Sequence, residues 1–571
     1  MFEPVSESKQ GISGLLAITN FKLTFVTAEE NVDDIHQQNH LLGYTDICLS
    51  NVDNIYLIGD KKRKLTTGVS VPSKVKGIFI VCKNLRTWSF SFKFSDIGDG
   101  RNILNALLHH AFPTKHYLLF AYEYSLSEYI IVPASVTDDQ LTKAAWHFQG
   151  SRPPIWSWSN DSGAALVKMA ELSISIPDRT QENIMLENIR KNHPKKIQPV
   201  IIELNKDISI KSVSYSFTKL VELCSPDSIR QFIHQENNFY SLLENTKWLK
   251  HVSLCLRKSV EACEELNDGV PVILQGINHK CLLISVIGNF LIYISFKIAE
   301  GSGRDFCCII SSLVQLLLDP HFRTIVGFQS LIQKEWVAAG HPFCDRLGHL
   351  KNDGSEKAPL FLLYLDCVWQ LCQQFPAYFE FTETYLTTLW DSTHVSIFET
   401  FIFNSERDRV KAASDPTNQL VLRSVWDWRE QFSDHDIQLF YNPLYAPALA
   451  DSKLHQIKPN HGISNLEIWS QCYFRWIPHL IINNGGKNQI EMYARLLQND
   501  LAQLKIDANE ATVTSSNIDQ LSTCLLQMNI NSFYPFSNKS SGNNVSTPIM
   551  NASFIMNESM IDSQSLLTTT D

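Results

Sequence analysis

The sequence lacks the features of several common protein classes. Its 571 residues include 13 cysteines but no CxxC pair and no HExxH segment, so no spacing typical of a zinc site is present. Basic residues are not in excess, since 49 Lys and Arg stand against 59 Asp and Glu. The resulting net charge of −10 argues against nucleic-acid binding driven by overall charge. We therefore expect no metal, no other cofactor and no nucleic-acid partner.

The amino terminus also lacks the pattern of a secretion signal. MFEPVSESKQ has neither a basic segment nor an apolar stretch. The uncharged run Cys281–Phe296 is shorter than the roughly 20 apolar residues that cross a bilayer. We therefore predict a cytoplasmic protein with reduced thiols that can attach peripherally to endosomal or other internal membranes.

Short alternations of apolar and polar residues occupy the first part of the chain. They are found in Gly14–Thr27, Val52–Asp60 and Gly77–Phe94, and this period of two predicts antiparallel strands. Gly100–Phe112 has helical spacing instead. Several strands followed by one helix predict a small β-barrel of the pleckstrin-homology type over residues 1–119.

A run of four basic residues, Lys61, Lys62, Arg63 and Lys64, falls between two predicted strands, where we expect a loop. Such a run can contact a phosphoinositide headgroup, or it can be an ordinary solvated charge run. The sequence leaves both interpretations open.

Residues 120–505 have a different pattern, in which strands come first and long helices follow. Glu128–Pro133 and Pro153–Asn160 are typical of strands. The apolar spacing predicts helices at Leu242–Leu266, Phe322–Phe343 and Ala358–Phe381. This order predicts an α/β domain with a helix-rich second half.

The end of the chain is rich in Ser, Thr and Asn, and we predict that residues 506–571 are disordered. Just before it, apolar residues recur at a spacing of 4-3-4-3. They are Ile490, Ala494, Leu497, Leu501 and Leu504. This seam can pair with a second helix or lie on its own domain.

Several long stretches, in order along residues 12–480, resemble the myotubularins. They include EYIIVP, LLENTKWLKHV, LLLDPHFRTIVGFQSLIQKEWVAAGHPF, LFLLYLDCVWQLCQQFPAYFEF and FETFIFNSERDR. The resemblance implies an N-terminal PH-GRAM domain and a phosphatase domain of the cysteine-dependent class that acts on 3-phosphoinositides. Leu466–Leu480 resembles in particular the branch with myotubularin-related proteins ten to twelve, whose members are catalytically inactive.

Active myotubularins carry the loop His-Cys-Ser-Asp-Gly-Trp-Asp-Arg directly before a helix. In this chain the matching helix is the apolar stretch that ends near Asp319. Placed against the family's loop, this chain has a degenerate loop made of Glu300, Gly301, Ser302, Gly303, Arg304, Asp305 and Phe306. The chemistry needs a thiolate nucleophile, an arginine fork for the phosphoryl oxygens and an acid for the leaving group. Glu300, Phe306 and Ser302 occupy those three positions. We therefore predict a pseudophosphatase with no catalytic residues.

Other cysteines are poor substitutes for the missing nucleophile. Cys307 and Cys308 fall on the helix side of the loop. Cys224–Arg230 matches Cys-x5-Arg, but this stretch has no glycine, contains a proline and follows what we expect to be a helix end.

Two departures from the family pattern concern the gene model. The 24 residues from 276 to 299 separate the strand Val270–Gln275 from the loop, and we interpret them as a retained intron. The alternatives are an added hairpin or helix, and a membrane span. A family segment is also missing near residues 124–128, through either a true deletion or a missing exon.

Two functions follow from the resemblance and the residues. The first is a regulatory adaptor that forms a hetero-oligomer with an active myotubularin phosphatase. The second is a module that binds phosphoinositide membranes by itself. The partner's identity, the headgroup preference and the stoichiometry stay open.

Overall fold

The computed structural model describes residues 12–474 with interruptions. The longest are 28–41, 113–131, 173–179, 350–356, 410–422 and 448–456. For the strands at 280–287 and 290–297 only the backbone is described.

In the N-terminal domain the described residues form seven strands and one helix. Its first sheet contains β1 (Gly14–Ile18), β2 (Lys22–Thr27) and β3 (Asp46–Cys48) in that order. A 3-10 turn, Leu49–Asn51, then leads the chain into a second sheet of order β5-β4-β6-β7. Its strands are β4 (Val52–Leu57), β5 (Arg63–Leu65), β6 (Gly77–Cys82) and β7 (Thr87–Ser91).

The two sheets and helix α1 (Asp99–His110) share one apolar core, which includes Leu23, Ile55, Ile80 and Leu104. The predicted strands and the closing helix are therefore present and fit a PH-GRAM-like domain. Strand pairing among the described residues gives two sheets, and it does not show whether they close into the predicted barrel.

The second domain contains a mixed sheet of order β10-β11-β9-β8. Its strands are β8 (Ile155–Ser159), β9 (Ala165–Met169), β10 (Val200–Glu203) and β11 (Val272–Gln275). Strands β9, β10 and β11 run parallel, and β8 pairs antiparallel to β9. A parallel sheet needs helical crossovers, and the helices between these strands supply them.

The helices before β11 are α2 (Asp138–Ala145), α3 (Thr180–Asn192), α4 (Ile210–Cys224), α5 (Phe239–Thr246) and α6 (Trp248–Asn267). Those that follow are α7 (Phe306–Leu318), α8 (Ile325–Ile332), α9 (Phe343–Leu347), α10 (Leu360–Gln374) and α11 (Glu383–Ser392). Three short helices come last, α12 (Trp428–Gln431), α13 (Asp434–Gln438) and α14 (Ser470–Tyr473). A π-helical turn spans Gln333–Ala338, and further 3-10 turns lie at Gln149–Ser151, Pro320–Arg323, Glu399–Phe401 and Ile463–Asn465.

Two helices form the centre of this domain. In α7 every residue from Phe306 to Leu317 is buried, and in α10 every residue from Leu360 to Gln373 is buried. Helix α7 packs against α6 and α10. A helix that is buried on all sides belongs in the interior of a large domain, and the few polar residues of these two helices are buried with the rest.

The prediction of one helix at Leu242–Leu266 is wrong in one respect, because this stretch contains two helices. Lys247 has a φ of 62° between α5 and α6 and breaks the chain there. The expected strand at Pro153–Asn160 is present as β8, and the helices expected at Phe322–Phe343 and Ala358–Phe381 are present as α8 and α10.

The segment 276–299 contains a hairpin of β12 (Lys280–Ile287) and β13 (Phe290–Lys297). In the described sheets these two strands pair only with each other. This backbone agrees with the added-hairpin interpretation, and the retained intron stays a prediction about the transcript. Among the described helices, none is both long and apolar enough to span a membrane.

Several predictions fall outside the described residues. They concern most of Glu128–Pro133, the missing segment near 124–128, the seam from Ile490 to Leu504 and the tail 506–571.

Candidate functional site at the carboxyl edge of the parallel sheet

The degenerate loop lies where the parallel strands β9 and β11 end and helix α7 begins. Gly303 has a φ of 63°, and a Cβ added there would lie 3.3 Å from the Met169 carbonyl oxygen and 3.4 Å from Cys307 Sγ. The loop therefore approaches the end of β9 closely and needs its glycine. Glu300, Gly301 and Ser302 fall outside the described residues.

Asp305 is fully buried at the start of α7 and is surrounded by cations and donors. Arg346 donates to both carboxylate oxygens, Nε to Oδ1 at 3.0 Å and Nη2 to Oδ2 at 2.7 Å. His341 Nδ1 lies 3.2 Å from Oδ1. Burial opposes ionisation, yet Arg346 and His341 together hold the pKa of Asp305 well below its usual range. The carboxylate is thus fixed as an anion in a bidentate pair.

His341 also fixes the turn before the helix. Its Nδ1 lies 3.0 Å from the Arg304 carbonyl oxygen, and the ring packs against Trp336 and Phe343. Because the Arg304 carbonyl and the Asp305 carboxylate are both acceptors, Nδ1 carries the proton and donates.

A second arginine lies beside Arg304. Arg152 is buried, donates through Nη2 to the Ala339 carbonyl at 2.5 Å and comes close to Gly340. Burial and the charge of Arg304 lower the pKa of Arg152 to about 10. Two arginines therefore lie close to each other beside the loop.

A buried ion pair lies under the loop. Lys168 Nζ on β9 is 2.7 Å from Glu335 Oε2, and Gln315 Nε2 donates to the other carboxylate oxygen at 2.9 Å. Burial raises the pKa of Glu335, but Lys168 and Lys334 outweigh it and lower the pKa to about 2. Glu335 lies in the π-helical turn Gln333–Ala338. The pair ties the sheet to that turn and to α7.

The thiols near the loop are buried, and each donates to a backbone carbonyl. Cys308 Sγ donates to the Arg304 carbonyl at 3.1 Å, and Cys307 Sγ lies 3.6 Å from the Leu274 carbonyl. Burial raises the pKa of Cys308 to about 12. A thiol with such a pKa has almost no thiolate at neutral pH and is a poor nucleophile.

Cys224, the other candidate thiol, ends helix α4, as the sequence analysis expected, and is fully buried. Burial raises its pKa well above the ordinary value. Phe306, which the sequence analysis places at the position of the family's arginine, is only 2% exposed and belongs to the apolar core.

The structure brings Gly303, Arg304, Asp305 and Phe306 together. It adds residues that the sequence analysis did not single out, which are Arg152, Lys168, Glu335, His341 and Arg346. Two of them, Glu335 and His341, lie in the stretch LIQKEWVAAGHPF that carried the family resemblance. A polar residue among apolar neighbours is the signal that was available, although their partners could not be read from spacing.

The basic run is placed differently from the prediction. Arg63 and Lys64 lie in the edge strand β5, not in a loop, and Lys62 precedes it with Nζ 4.1 Å from the centroid of the Phe79 ring. These three side chains are exposed, and Lys61 lies outside the described residues. Lysine and arginine are common on edge strands because they discourage pairing with other chains.

The same end of the second sheet carries further basic residues. Leu57 pairs with Arg63 and with Ile78, and Gly77 pairs with Ser91, so the start of β5, the start of β6 and the end of β7 are adjacent. The exposed side chains at this sheet end include Lys62, Arg63, Lys64, Lys76, Lys93 and Phe94, together with the acidic Asp96. Phe94 is 92% exposed.

Within the part of the chain that the structure describes, no three His, Cys, Asp or Glu residues are grouped so that they could hold a metal ion.

Comparison with known proteins identifies the family. A model of the myotubularin-like phosphatase domain matches residues 204–280 and 295–410, and a model described as myotubularin-associated protein matches residues 401–513. Myotubularin-related protein 10-B of Xenopus laevis is 34% identical over an alignment of 632 residues, gaps included. The alignment covers 84% of this chain and 79% of that protein. The chain belongs to the myotubularin family.

Two other relatives of this myotubularin agree with that assignment. Human myotubularin-related protein 10 is 33% identical over 525 residues, and zebrafish (Danio rerio) myotubularin-related protein 12 is 33% identical over 505 residues. Each alignment covers 77% of this chain but 64% of the relative. The phosphatase-domain match is interrupted at 281–294, inside the segment interpreted as an insertion.

Proposed function

We propose that this myotubularin is a pseudophosphatase that acts as a regulatory adaptor of an active 3-phosphoinositide phosphatase. The observation that carries the proposal is the start of helix α7. There the position of the family's arginine holds the buried Phe306, and Asp305 is committed to Arg346. The neighbouring Cys308 is buried with a raised pKa. An in-line attack on phosphorus needs a thiolate and a free arginine fork, and this arrangement supplies neither.

The adaptor role is supported by the matched families and by the preserved core. The chain matches a myotubularin-associated protein model over residues 401–513. Its resemblance to the inactive branch implies pairing with an active member. Helices α7 and α10 are fully packed in the core, so the chain keeps the folded domain that an adaptor role requires.

The test is the 3-phosphoinositide phosphatase activity of material affinity-purified on this chain, before and after a stringent salt wash. We expect activity that leaves with a second protein in the wash. Activity that stays with the washed chain would contradict the pseudophosphatase proposal. Absence of activity in both samples would contradict the adaptor proposal and favour the second candidate below.

The second candidate function is direct binding to anionic membranes, favoured by the basic sheet end with its exposed Phe94. Clustered ammonium groups attract anionic lipid headgroups, and an exposed aromatic ring can enter the interface. Such binding would place the chain in the cytoplasm, peripherally on endosomal or other internal membranes.

Liposome sedimentation with a Lys62→Ala/Arg63→Ala/Lys64→Ala variant tests the second candidate. We expect binding to phosphoinositide vesicles to fall, while copurified phosphatase activity is unchanged. Lys143→Ala, which removes an exposed lysine on α2, is the matched control. Equal binding by the triple variant and the control would exclude this surface.

A further inference from the structure

A cavity of about 620 Å³ lies between the N-terminal domain and the phosphatase-like domain. One wall comes from β4 and β6, with Tyr56 and Phe79, and the facing wall includes Phe217 of α4 and Trp390 of α11. Its volume is within the range of small-molecule sites.

Hydrogen bonds across the two domains fix the walls of this interdomain cavity. Lys83 Nζ donates to the carbonyls of Ser50 at 2.7 Å and of Gly348 at 2.9 Å. Asn84 Nδ2 donates to Asp391 Oδ1 at 3.2 Å. The position of the Lys83 ammonium is therefore set by both domains.

A second lysine meets Lys83 at Gly348. A Cβ added to Gly348 would lie 2.3 Å from Lys357 Cε and 2.9 Å from Lys357 Nζ. The two ammonium groups thus approach the same glycine from different domains. Within the described chain neither lysine forms an ion pair with a carboxylate, and Lys357 is exposed.

The other charged side chains that line the cavity do not cancel these two lysines. Arg346 is committed to Asp305, and Glu222 pairs with Lys219 at 2.7 Å. The carboxylate of Asp53 is left to face the lysines, and it accepts a hydrogen bond from the Asn54 amide at 2.6 Å. The fourth basic residue of the lining, Lys62, stacks on Phe79.

We propose that the interdomain cavity binds a phosphate-bearing ligand, which Lys83 and Lys357 contact from the two domains. Two converging ammonium groups at one end of a partly apolar cavity suit a phosphorylated small molecule or a phosphorylated lipid headgroup. Burial and the charge of Lys357 lower the pKa of Lys83 to about 8, a cost that a bound anion would relieve. The proposal does not depend on the chain being an adaptor.

The test uses the full chain and two probes, pyrophosphate in titration calorimetry and phosphatidylcholine vesicles with or without a phosphoinositide. Lys357→Met is the main variant, because Lys357 is exposed and its loss should leave the fold intact. Lys83→Met is a second variant, and Lys143→Met on α2 is the matched control. Removing one charge-assisted contact should weaken binding about tenfold.

Pyrophosphate binding that is weakened in Lys357→Met and unchanged in Lys143→Met would support a soluble ligand. If Lys357→Met weakens binding to phosphoinositide vesicles but not to pyrophosphate, the ligand is a lipid headgroup. This outcome is distinct from membrane binding by the basic sheet end, because Lys357 lies outside the N-terminal domain. Equal binding by Lys357→Met and the parent chain would overturn the proposal. Binding that is lost in Arg304→Met but kept in Lys357→Met would also overturn the proposal, because the anion would then lie in the degenerate loop. A chain that binds neither probe would overturn it as well.

Discussion

Replacing Lys168 with Met should strongly destabilise the phosphatase-like domain. Lys168 and Glu335 are 8% and 0% exposed, so the substitution leaves a carboxylate in the core without its main partner. Gln315 still donates to that carboxylate, and Lys334 Nζ lies 3.6 Å from its Oε1. These two contacts reduce the loss but do not remove it.

The size of the effect follows from the pKa of Glu335, which is lowered from 4.5 to about 2. A difference of this size contributes about 3 kcal/mol to the free energy of unfolding. Because the folded pKa is depressed, the contribution is present above pH 4.5 and is lost as the pH falls through 2. Breaking a buried pair from one side typically costs about 3–5 kcal/mol, which agrees.

Calorimetric unfolding at neutral pH measures the change in stability, and we expect the melting temperature to fall by roughly 5 °C or more. Lys143→Met is the matched control, since its pair with Asp139 is exposed and should cost under about 0.5 kcal/mol. The double variant Lys168→Met/Glu335→Gln should be more stable than the sum of the single losses predicts. Strict additivity would refute the reasoning, because it would mean that the two charges do not interact.

Three further outcomes are expected. Tyr473→Phe should lower the free energy of unfolding by about 1–2 kcal/mol, measured by guanidinium denaturation, because buried Asp366 accepts from the Tyr473 hydroxyl at 2.5 Å; an unchanged midpoint would contradict this. Burial and the charge of Lys357 lower the pKa of Lys83 from 10.5 to about 8. Between pH 8 and 10.5 the unfolded chain therefore holds a proton that the folded chain has lost, so the thermal stability of the parent chain should rise relative to Lys83→Met. Melting temperatures of the two chains that change in parallel with pH would contradict this. Deleting residues 276–299 should leave the calorimetric transition unchanged, because the described hairpin pairs only with itself; loss of the transition would show that the hairpin supports the core.

Much of the fold could be predicted because its signals are local. The period-two runs became β1, β2, β4, β6 and β7, and the apolar helical runs became α7 and α10. Local signals failed where a residue adopts a conformation that its type does not favour. Lys247, with a left-handed backbone between α5 and α6, is such a case, since glycine or asparagine normally marks that break.

The site was predictable only in part, for a different reason. The degenerate loop is contiguous, so its missing chemistry can be read from the sequence once the family is recognised. Its environment is assembled from segments far apart in the chain, with Asp305 meeting Arg346 and Lys168 meeting Glu335. Spacing carries no information about such pairs, because the topology of the sheet and helices brings them together.

These pairs also bear on how a loop that we propose to be inactive can remain in a stable domain. An unpaired charge at the buried edge of a sheet is costly, so a phosphatase loop that loses its ligand and its nucleophile needs its remaining charges satisfied from within. Here Asp305 is neutralised by Arg346, and Glu335 is neutralised by Lys168. The charged residues around the loop therefore stabilise the fold without a bound phosphate. The two places that we propose for anionic ligands and membranes use other cations, Lys83 and Lys357 at the interdomain cavity and Lys62 and Lys64 at the basic sheet end.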